Sequence, residues 1–294
     1  MYYLLPDFRF VKPETLREAF RELETEGAAP IAGGTDLVID MKVGRRKPDK
    51  LVYIAHLPEL NGIRDAGDSI VIGAVTKLQS IVDNELLRKY APVLPEAVNE
   101  MASWQIRNIA TIGGNLGNAS PAADTAPPLY VLDAKIVIKG LGTERVMPVR
   151  EFFVGPKKNA LRKGELIQAI IVPKIAGEGV GMSYVKIGRR QAFTLSIVSV
   201  ATLVKVEGNE IVDARVALNA VAPTPVRAPH VEEALKGSKA TAEAVMKAAE
   251  EVLKDISPIS DVRASKEYRR LLSVALTRES LLTSLRRAGV KVEV

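Results

Sequence analysis

ATIGGNLGNASPAADTAPPL, running from Ala110 to Leu129, sets a Gly-Gly pair among small hydroxyl, amide and alanine side chains and carries almost no bulk. Backbone of this kind lets another molecule approach closely. A second pair lies upstream in Ile31-Ala32-Gly33-Gly34-Thr35-Asp36-Leu37. Missing side chains allow consecutive backbone N–H groups to converge on an anion, and a following helix adds the positive end of its dipole. Two such turns, each ahead of an expected helix, predict a paired cradle for a long phosphate-containing ligand. Neither fits G-x-G-x-x-G with an acidic residue about 20 positions later, nor the Walker pattern with its lysine. An ordinary NAD-binding Rossmann domain is disfavoured, and a nucleoside triphosphatase more strongly so.

Upstream of the long glycine stretch, a strand is expected at Phe8 to Val11 and an amphipathic helix over Glu14 to Glu26. That helix carries Leu16, Ala19, Phe20 and Leu23 on one side and stops at Gly27. A short helix with Leu37 and Met41 and a strand at Leu51 to Ala55 follow. A hairpin then joins Gly62–Asp65 to Ser69–Gly73, and two helices, around Lys77 to Asp83 and Pro92 to Ser103, lead to the stretch itself. Trp104 is expected to pack the helix end ahead of it. Beyond it, Leu129 to Asp133 reads as helix, and Lys135–Lys139, Arg145–Pro148 and Leu166–Val172 read as strands.

Lys174 to Gly181 holds three glycines and few bulky groups, which puts the main domain boundary there. Antiparallel strands at Met182–Ile187, Ser196–Val206 and Ile211–Ala220 come next, the last two joined through Glu207-Gly208-Asn209-Glu210. Helices at His230–Leu235, Ala240–Lys254 and Ser265–Ala288 are expected to cover one face of this three-stranded sheet. The architecture is α+β in two or three lobes.

With 294 residues and 47% hydrophobic content, the chain is long enough for a substantial core and for two domains. It holds no cysteine, hence no disulfide, no thiolate nucleophile and no iron–sulfur cluster of its own. Two histidines, His56 and His230, are too few for a multi-histidine metal site; no catalytic residue and no metal ligand is assigned. The net charge of +6 draws on a basic segment from Arg263 to Arg287. Glu267 and Glu279 interrupt it and no aromatic platform is interleaved. It reads as a solvated face or a face for an acidic partner subunit, not as a nucleic-acid surface. No apolar run approaches the roughly 20 residues of a transmembrane segment, and MYYLLPDFRF lacks the order of a signal peptide, so the expected location is cytoplasmic.

The run Gln105-Ile106-Arg107-Asn108-Ile109-Ala110-Thr111-Ile112-Gly113-Gly114-Asn115-Leu116 resembles the flavin loop of the FAD-binding medium subunit of molybdenum hydroxylases. That family includes carbon monoxide dehydrogenase, xanthine dehydrogenase and aldehyde oxidoreductase flavoprotein subunits. The resemblance extends to Ala32-Gly33-Gly34-Thr35-Asp36, Pro58-Glu59-Leu60, Lys186-Ile187-Gly188-Arg189-Arg190-Gln191-Ala192-Phe193, Val221-Ala222-Pro223-Thr224-Pro225-Val226-Arg227, and the segment Asp261 to Arg270.

It implies a two-lobed FAD-binding domain of the vanillyl-alcohol-oxidase-like (PCMH) type over residues 1–175, with lobes of about 1–56 and 57–175. A smaller C-terminal domain with a three-stranded antiparallel sheet and helices would occupy 180–288. FAD would be enclosed by Ile31, Ala32, Gly33, Gly34, Thr35, Asp36 and Leu37 on one side and by Thr111, Ile112, Gly113, Gly114 and Asn115 on the other. Asp124 is implied as a FAD contact, and it reads equally as an N-cap ahead of Thr125-Ala126-Pro127-Pro128. Met101 is implied at the adenine end and Ile167 in the same site, although both read equally as core. Lys186 would put positive charge near a reduced flavin, and Phe193 would guard one flavin face or serve as core. Where many relatives carry aspartate after that aromatic, this chain has Thr194.

The resemblance further implies electron transfer through FAD to an external acceptor. The partners would be a small iron–sulfur subunit and a large molybdenum-cofactor subunit, assembled as a dimer of heterotrimers, with clusters and molybdenum cofactor on those partners only. A stand-alone flavin oxidase and a flavin-free scaffold subunit are the alternatives.

Overall fold

A computed structural model describes residues 4–191 and 193–292. Strand β1 (Arg9–Val11) leads to helix α1 (Leu16–Leu23), opened by Thr15, whose side chain accepts from the Glu18 N–H. Such a cap satisfies one of the donors that a first helical turn leaves free. Ala19, Phe20 and Leu23 point inward from α1. Strand β2 (Ala28–Ile31), helix α2 (Leu37–Lys42) and strand β3 (Lys50–Tyr53) complete the first lobe. Its sheet is parallel, in the order β1-β3-β2. Parallel pairing needs a crossover between strands, and α1 and α2 supply it. The sequence reading lacks β2 because Ala28-Ala29-Pro30-Ile31 shows little of the β-branched and aromatic signal of a strand.

The second lobe opens with the hairpin β4 (Ile63–Asp65) and β5 (Ser69–Gly73). Six short helices follow: α3 (Leu78–Val82), α4 (Glu85–Tyr90), α5 (Val93–Asn99), α6 (Trp104–Arg107), α7 (Ile112–Gly117) and α8 (Ala126–Val131). Strands β6 (Lys135–Gly140) and β7 (Thr143–Pro148), the small hairpin β8 (Phe153–Gly155) and β9 (Lys158–Asn159), and β10 (Leu166–Pro173) close it. The main sheet is antiparallel in the order β4-β5-β10-β6-β7. Ile70 with Ile72, Ile136 with Ile138, and Ile170 with Val172 are fully buried at alternate positions, the period of a strand with one face on the core.

Strands β11 (Val180–Gly188), β12 (Ser196–Glu207) and β13 (Glu210–Asn219) form the expected antiparallel meander, turned between β12 and β13 by Gly208 at φ 60°. A two-residue strand, β14 (Val226–Arg227), adds a fourth member at the β13 edge. Helices α9 (Pro229–Leu235), α10 (Ala242–Glu250) and α11 (Lys266–Arg287) cover one face. The opposite face is covered too: Met182, Tyr184, Ala201, Leu203 and Ala217 share one core with the second lobe, while Val198, Val200, Val204, Val216 and Leu218 pack with the C-terminal helices. This explains why β12 is buried along nearly its whole length.

Helix α11 meets the sheet through small polar residues. Thr202 Oγ1 sits 2.8 Å from Ser280 Oγ and 2.7 Å from Ser284 Oγ, and a Cβ on Gly181 would lie 1.9 Å from the Ser284 carbonyl oxygen. One arginine of the basic segment is internal, Arg269, which donates to the carbonyls of Ile197 and Ala220; Arg287, at the surface, pairs with Glu96 at 2.8 Å. No helix among the described residues is long and apolar enough to cross a membrane.

Candidate functional site

The two glycine segments touch. A Cβ on Gly33 would lie 2.2 Å from the carbonyl oxygen of Ile109, so only glycine lets the β2–α2 connection rest on the chain entering α7. Gly34 continues the turn at φ 70°, a conformation that side-chain-bearing residues rarely adopt. The Gly34 carbonyl then accepts from Val38 N–H at 3.0 Å, and α2 begins. Among the described residues, the backbone N–H groups of Gly33, Gly34, Thr35 and Asp36 donate to no protein acceptor. Four open donors in sequence at the head of a helix suit an anion.

The second segment departs from the expected glycine turn. Residues 112–117 are helix α7, and Gly113 and Gly114 fall in its first turn. Its donors are occupied: Thr111 Oγ1 accepts from Gly114 N–H at 3.1 Å, the Thr76 carbonyl from Ile112 at 3.2 Å, and the Ala74 carbonyl from Gly113 at 2.8 Å. The glycine at 113 serves packing, since a Cβ there would lie 2.7 Å from the Ala74 Cβ and carbonyl oxygen. The pair of turns is therefore asymmetric: the first offers hydrogen-bond donors, and the second offers a bare surface.

Between them runs a cleft of about 470 Å³ bounded by both lobes. Ile31, Ala32, Gly33, Gly34, Thr35, Asp36, Leu37, Thr111, Gly113, Gly114, Asn115 and Ile167 all line it. Ile112 does not; it is fully buried under α7. Asp36 sits at the exposed edge. Its carboxyl is pushed above the ordinary range, chiefly by desolvation against the wall, with Asp40 adding to the shift and Lys157 and Asn118 opposing it. Sequence reading missed the far wall, Leu161 to Leu166, and the cations Arg46, Arg162 and Lys163. All but Leu166, which opens β10, sit in connecting loops without a motif, and only the tertiary fold brings them to the cleft.

Asp124, Lys186 and the neighbourhood of Met101 meet elsewhere, at the seam between the second lobe and the C-terminal sheet. Lys186 Nζ donates to Asp124 Oδ2 at 2.8 Å and to the Glu100 carbonyl at 3.0 Å. Asp124 Oδ1 accepts from Ser196 Oγ at 2.5 Å and from Asn219 Nδ2 at 3.0 Å. The capping alternative for Asp124 does not hold: Thr125 stands at the N-cap of α8, with no side-chain cap bond. Tyr184 is buried beside this cluster, where desolvation and the Asp124 charge push its hydroxyl well above the ordinary range. Met101 is buried, its carbonyl held by Arg107 at 2.8 Å. Phe193 is half exposed at φ 50°, its carbonyl gripped by the Arg190 guanidinium at 2.8 Å from Nε. Trp104 is 62% exposed and does not pack the helix end.

A parallel α/β lobe facing an antiparallel lobe, with an open backbone cradle between them and an antiparallel sheet covered by helices behind, defines a flavin-dinucleotide-binding protein. The sequence model for the FAD binding domain in molybdopterin dehydrogenase matches residues 6–175, and that for the CO dehydrogenase flavoprotein C-terminal domain matches 183–284. The chain is 35% identical to the glyceraldehyde dehydrogenase medium chain of Sulfolobus acidocaldarius, over 92% of its own length and 96% of the relative's. It is 32% identical to the xanthine dehydrogenase FAD-binding subunit of Escherichia coli O157:H7, over 95% and 96%. A solved structure of carbon monoxide dehydrogenase from Hydrogenophaga pseudoflava, lacking the Mo-pyranopterin moiety, superposes with a TM-score of 0.93 at 31% identity, covering 97% of this chain and 99% of that one. This chain belongs to the FAD-binding medium subunits of the molybdenum hydroxylases, as an oxidoreductase component.

The residues present fit FAD. Four free N–H groups answer a diphosphate that must leave water with its hydrogen bonds replaced, and the glycine at 33 lets the turn that presents them seat against Ile109.

Proposed function

We propose that the chain is the electron-transfer subunit of a molybdenum hydroxylase complex, with FAD in the interlobe cleft. The observation that carries this is the row of unpartnered N–H groups from Gly33 to Asp36. When bound, FAD supplies the redox chemistry, accepting electrons from partner iron–sulfur clusters and releasing them to an external acceptor. The backbone of Gly33 to Asp36 binds the diphosphate. Thr111, Gly113, Gly114 and Asn115 give the ribityl chain a flat floor, and Ile31, Ala32, Leu37 and Ile167 exclude water.

In this reading Ile112 supports the floor from beneath. Asp124 and Lys186 hold the seam beside the flavin, Met101 backs it, and Phe193 covers its outer face. The cofactor-binding domain spans 1–175 in two lobes, about 1–56 and 57–175, and the C-terminal domain 180–288. A chain without cysteine leaves the clusters to a small partner subunit and the molybdenum cofactor to a large one, in a dimer of heterotrimers in the cytoplasm.

Copurification from cells that also express the neighbouring reading frames tests this. The expected result is a flavin spectrum together with a small iron–sulfur chain and a large molybdenum chain. A chain recovered alone, flavin-free and unable to take up added FAD, would overturn it.

A further inference from the structure

Lys157 stands where the two lobes meet across the cleft. It occupies the β8–β9 turn at φ 59°, and its N–H donates to the Ala119 carbonyl at 2.9 Å, which fixes the turn to the second lobe. Its Nζ donates to Asn118 Oδ1 at 2.8 Å on the same lobe. The same Nζ lies 3.7 Å from Asp40 Oδ2 on α2 of the first lobe. Asp40 is buried and one helical turn beyond Asp36, and Asp36 and Asn118 both line the cleft.

Two carboxylates beside a cleft that takes a diphosphate are an electrostatic conflict, because like charges in a partly desolvated site repel more strongly than in water. The charged groups acting on Asp36 are Asp40 and Lys157; Arg46, Arg162, Lys163 and Glu165 line the rest of the cleft. Asp40 also pairs with Arg45 at 3.3 Å, but that arginine is 71% exposed and its charge is largely screened. Lys157 is the cation that bridges both lobes at this point.

We infer that Lys157 is a positioning residue for the cofactor: it offsets the charge of the Asp36–Asp40 pair and ties the first lobe to Asn118 of the second at the spacing that admits a diphosphate. The inference rests on the placement of FAD in the interlobe cleft. Its signature is pH dependence. Lys157 opposes the upward shift of the Asp36 carboxyl, so removing it raises that group further. Below its pKa Asp36 is neutral and the repulsion falls; above it the carboxylate faces the diphosphate without the Lys157 charge beside it.

The test is fluorescence titration of the flavin-stripped full chain with FAD at pH 5.5 and pH 8, comparing wild type with K157M, K157R, D36N and K157M/D36N, each checked by circular dichroism. The expected result is a Kd for K157M raised ~10-fold at pH 8, equivalent to about 1.4 kcal/mol, and raised less at pH 5.5. K157R should stay within roughly threefold of wild type. D36N should restore most of the loss in the K157M background, a coupling that a purely structural role would not produce. If K157M does not fold, K157Q carries the same comparison. A Kd within twofold of wild type, or a deficit equal at both pH values and unrelieved by D36N, overturns the role of Lys157. A wild-type chain that binds no FAD overturns the cofactor placement as well, which tells the two failures apart.

Discussion

Lys186 Nζ lies 2.8 Å from Asp124 Oδ2, and the two side chains are only 4% and 5% exposed. The pair spans the seam between the cofactor-binding region and the C-terminal sheet, with Ser196 and Asn219 satisfying the other carboxylate oxygen. Removing one partner of a buried pair leaves an uncompensated charge, which costs about 3–5 kcal/mol. D124A is expected to lose stability on that scale in urea unfolding, and K186M/D124N to recover part of it. A loss for D124A below about 1 kcal/mol would mean that the seam is wetter than its burial indicates.

Gly33 and Gly114 are expected to differ in their tolerance of a methyl group. At Gly33 the new Cβ meets the Ile109 backbone carbonyl at 2.2 Å, whereas at Gly114 it meets only the Thr111 hydroxyl at 2.8 Å. A backbone carbonyl held by neighbouring structure cannot step aside, but a side-chain hydroxyl can rotate. Fluorescence titration with FAD should show G33A weakened by more than ~10-fold, or 1.4 kcal/mol, and G114A weakened less. The reverse order would shift the diphosphate to the α7 side.

Asp261 ties the last loop to α11. Burial alone would raise its carboxyl, but the Arg263 and Ala264 N–H groups, the Arg269 guanidinium and the charge of Arg263 outweigh that and hold it at about 2. The unfolded reference is ~3.9. A depressed folded value means that this stabilisation is complete above about pH 4 and is lost as pH falls toward 2. Acid unfolding followed by circular dichroism should show D261N losing the steepest part of that dependence. A wild-type-like acid profile for D261N would contradict it.

Much of the fold was legible because its signals are local. Alternation marked β5, β6 and β10, the Gly208 turn marked the β12–β13 hairpin, and the helical period of Leu16, Ala19, Phe20 and Leu23 marked α1. Strand β2 escaped because its pairing, not its composition, makes it a strand. Helix α11 was anticipated, but the residues it sets against the sheet are Ser280 and Ser284, which fit because Gly181 lets the backbones close. In the site, the open turn at Gly33 and Gly34 could be read from the glycine pair, because a tight turn of small residues is a local signal. The occupied donors of α7 could not, since Thr76 and Ala74 reach them from a distant part of the chain. The same holds for Asp124: its sequence context suggests a cap, and only the sheet behind it supplies Lys186, Ser196 and Asn219.

The central claim is that the open N–H groups of Gly33 to Asp36 hold the FAD diphosphate, and backbone hydrogen exchange reads those groups directly. Saturating the flavin-stripped chain with FAD is expected to slow exchange at Gly33, Gly34, Thr35 and Asp36, while Gly113 and Gly114, already bonded, change much less. Full FAD occupancy with unchanged exchange across Gly33 to Asp36 would contradict the account.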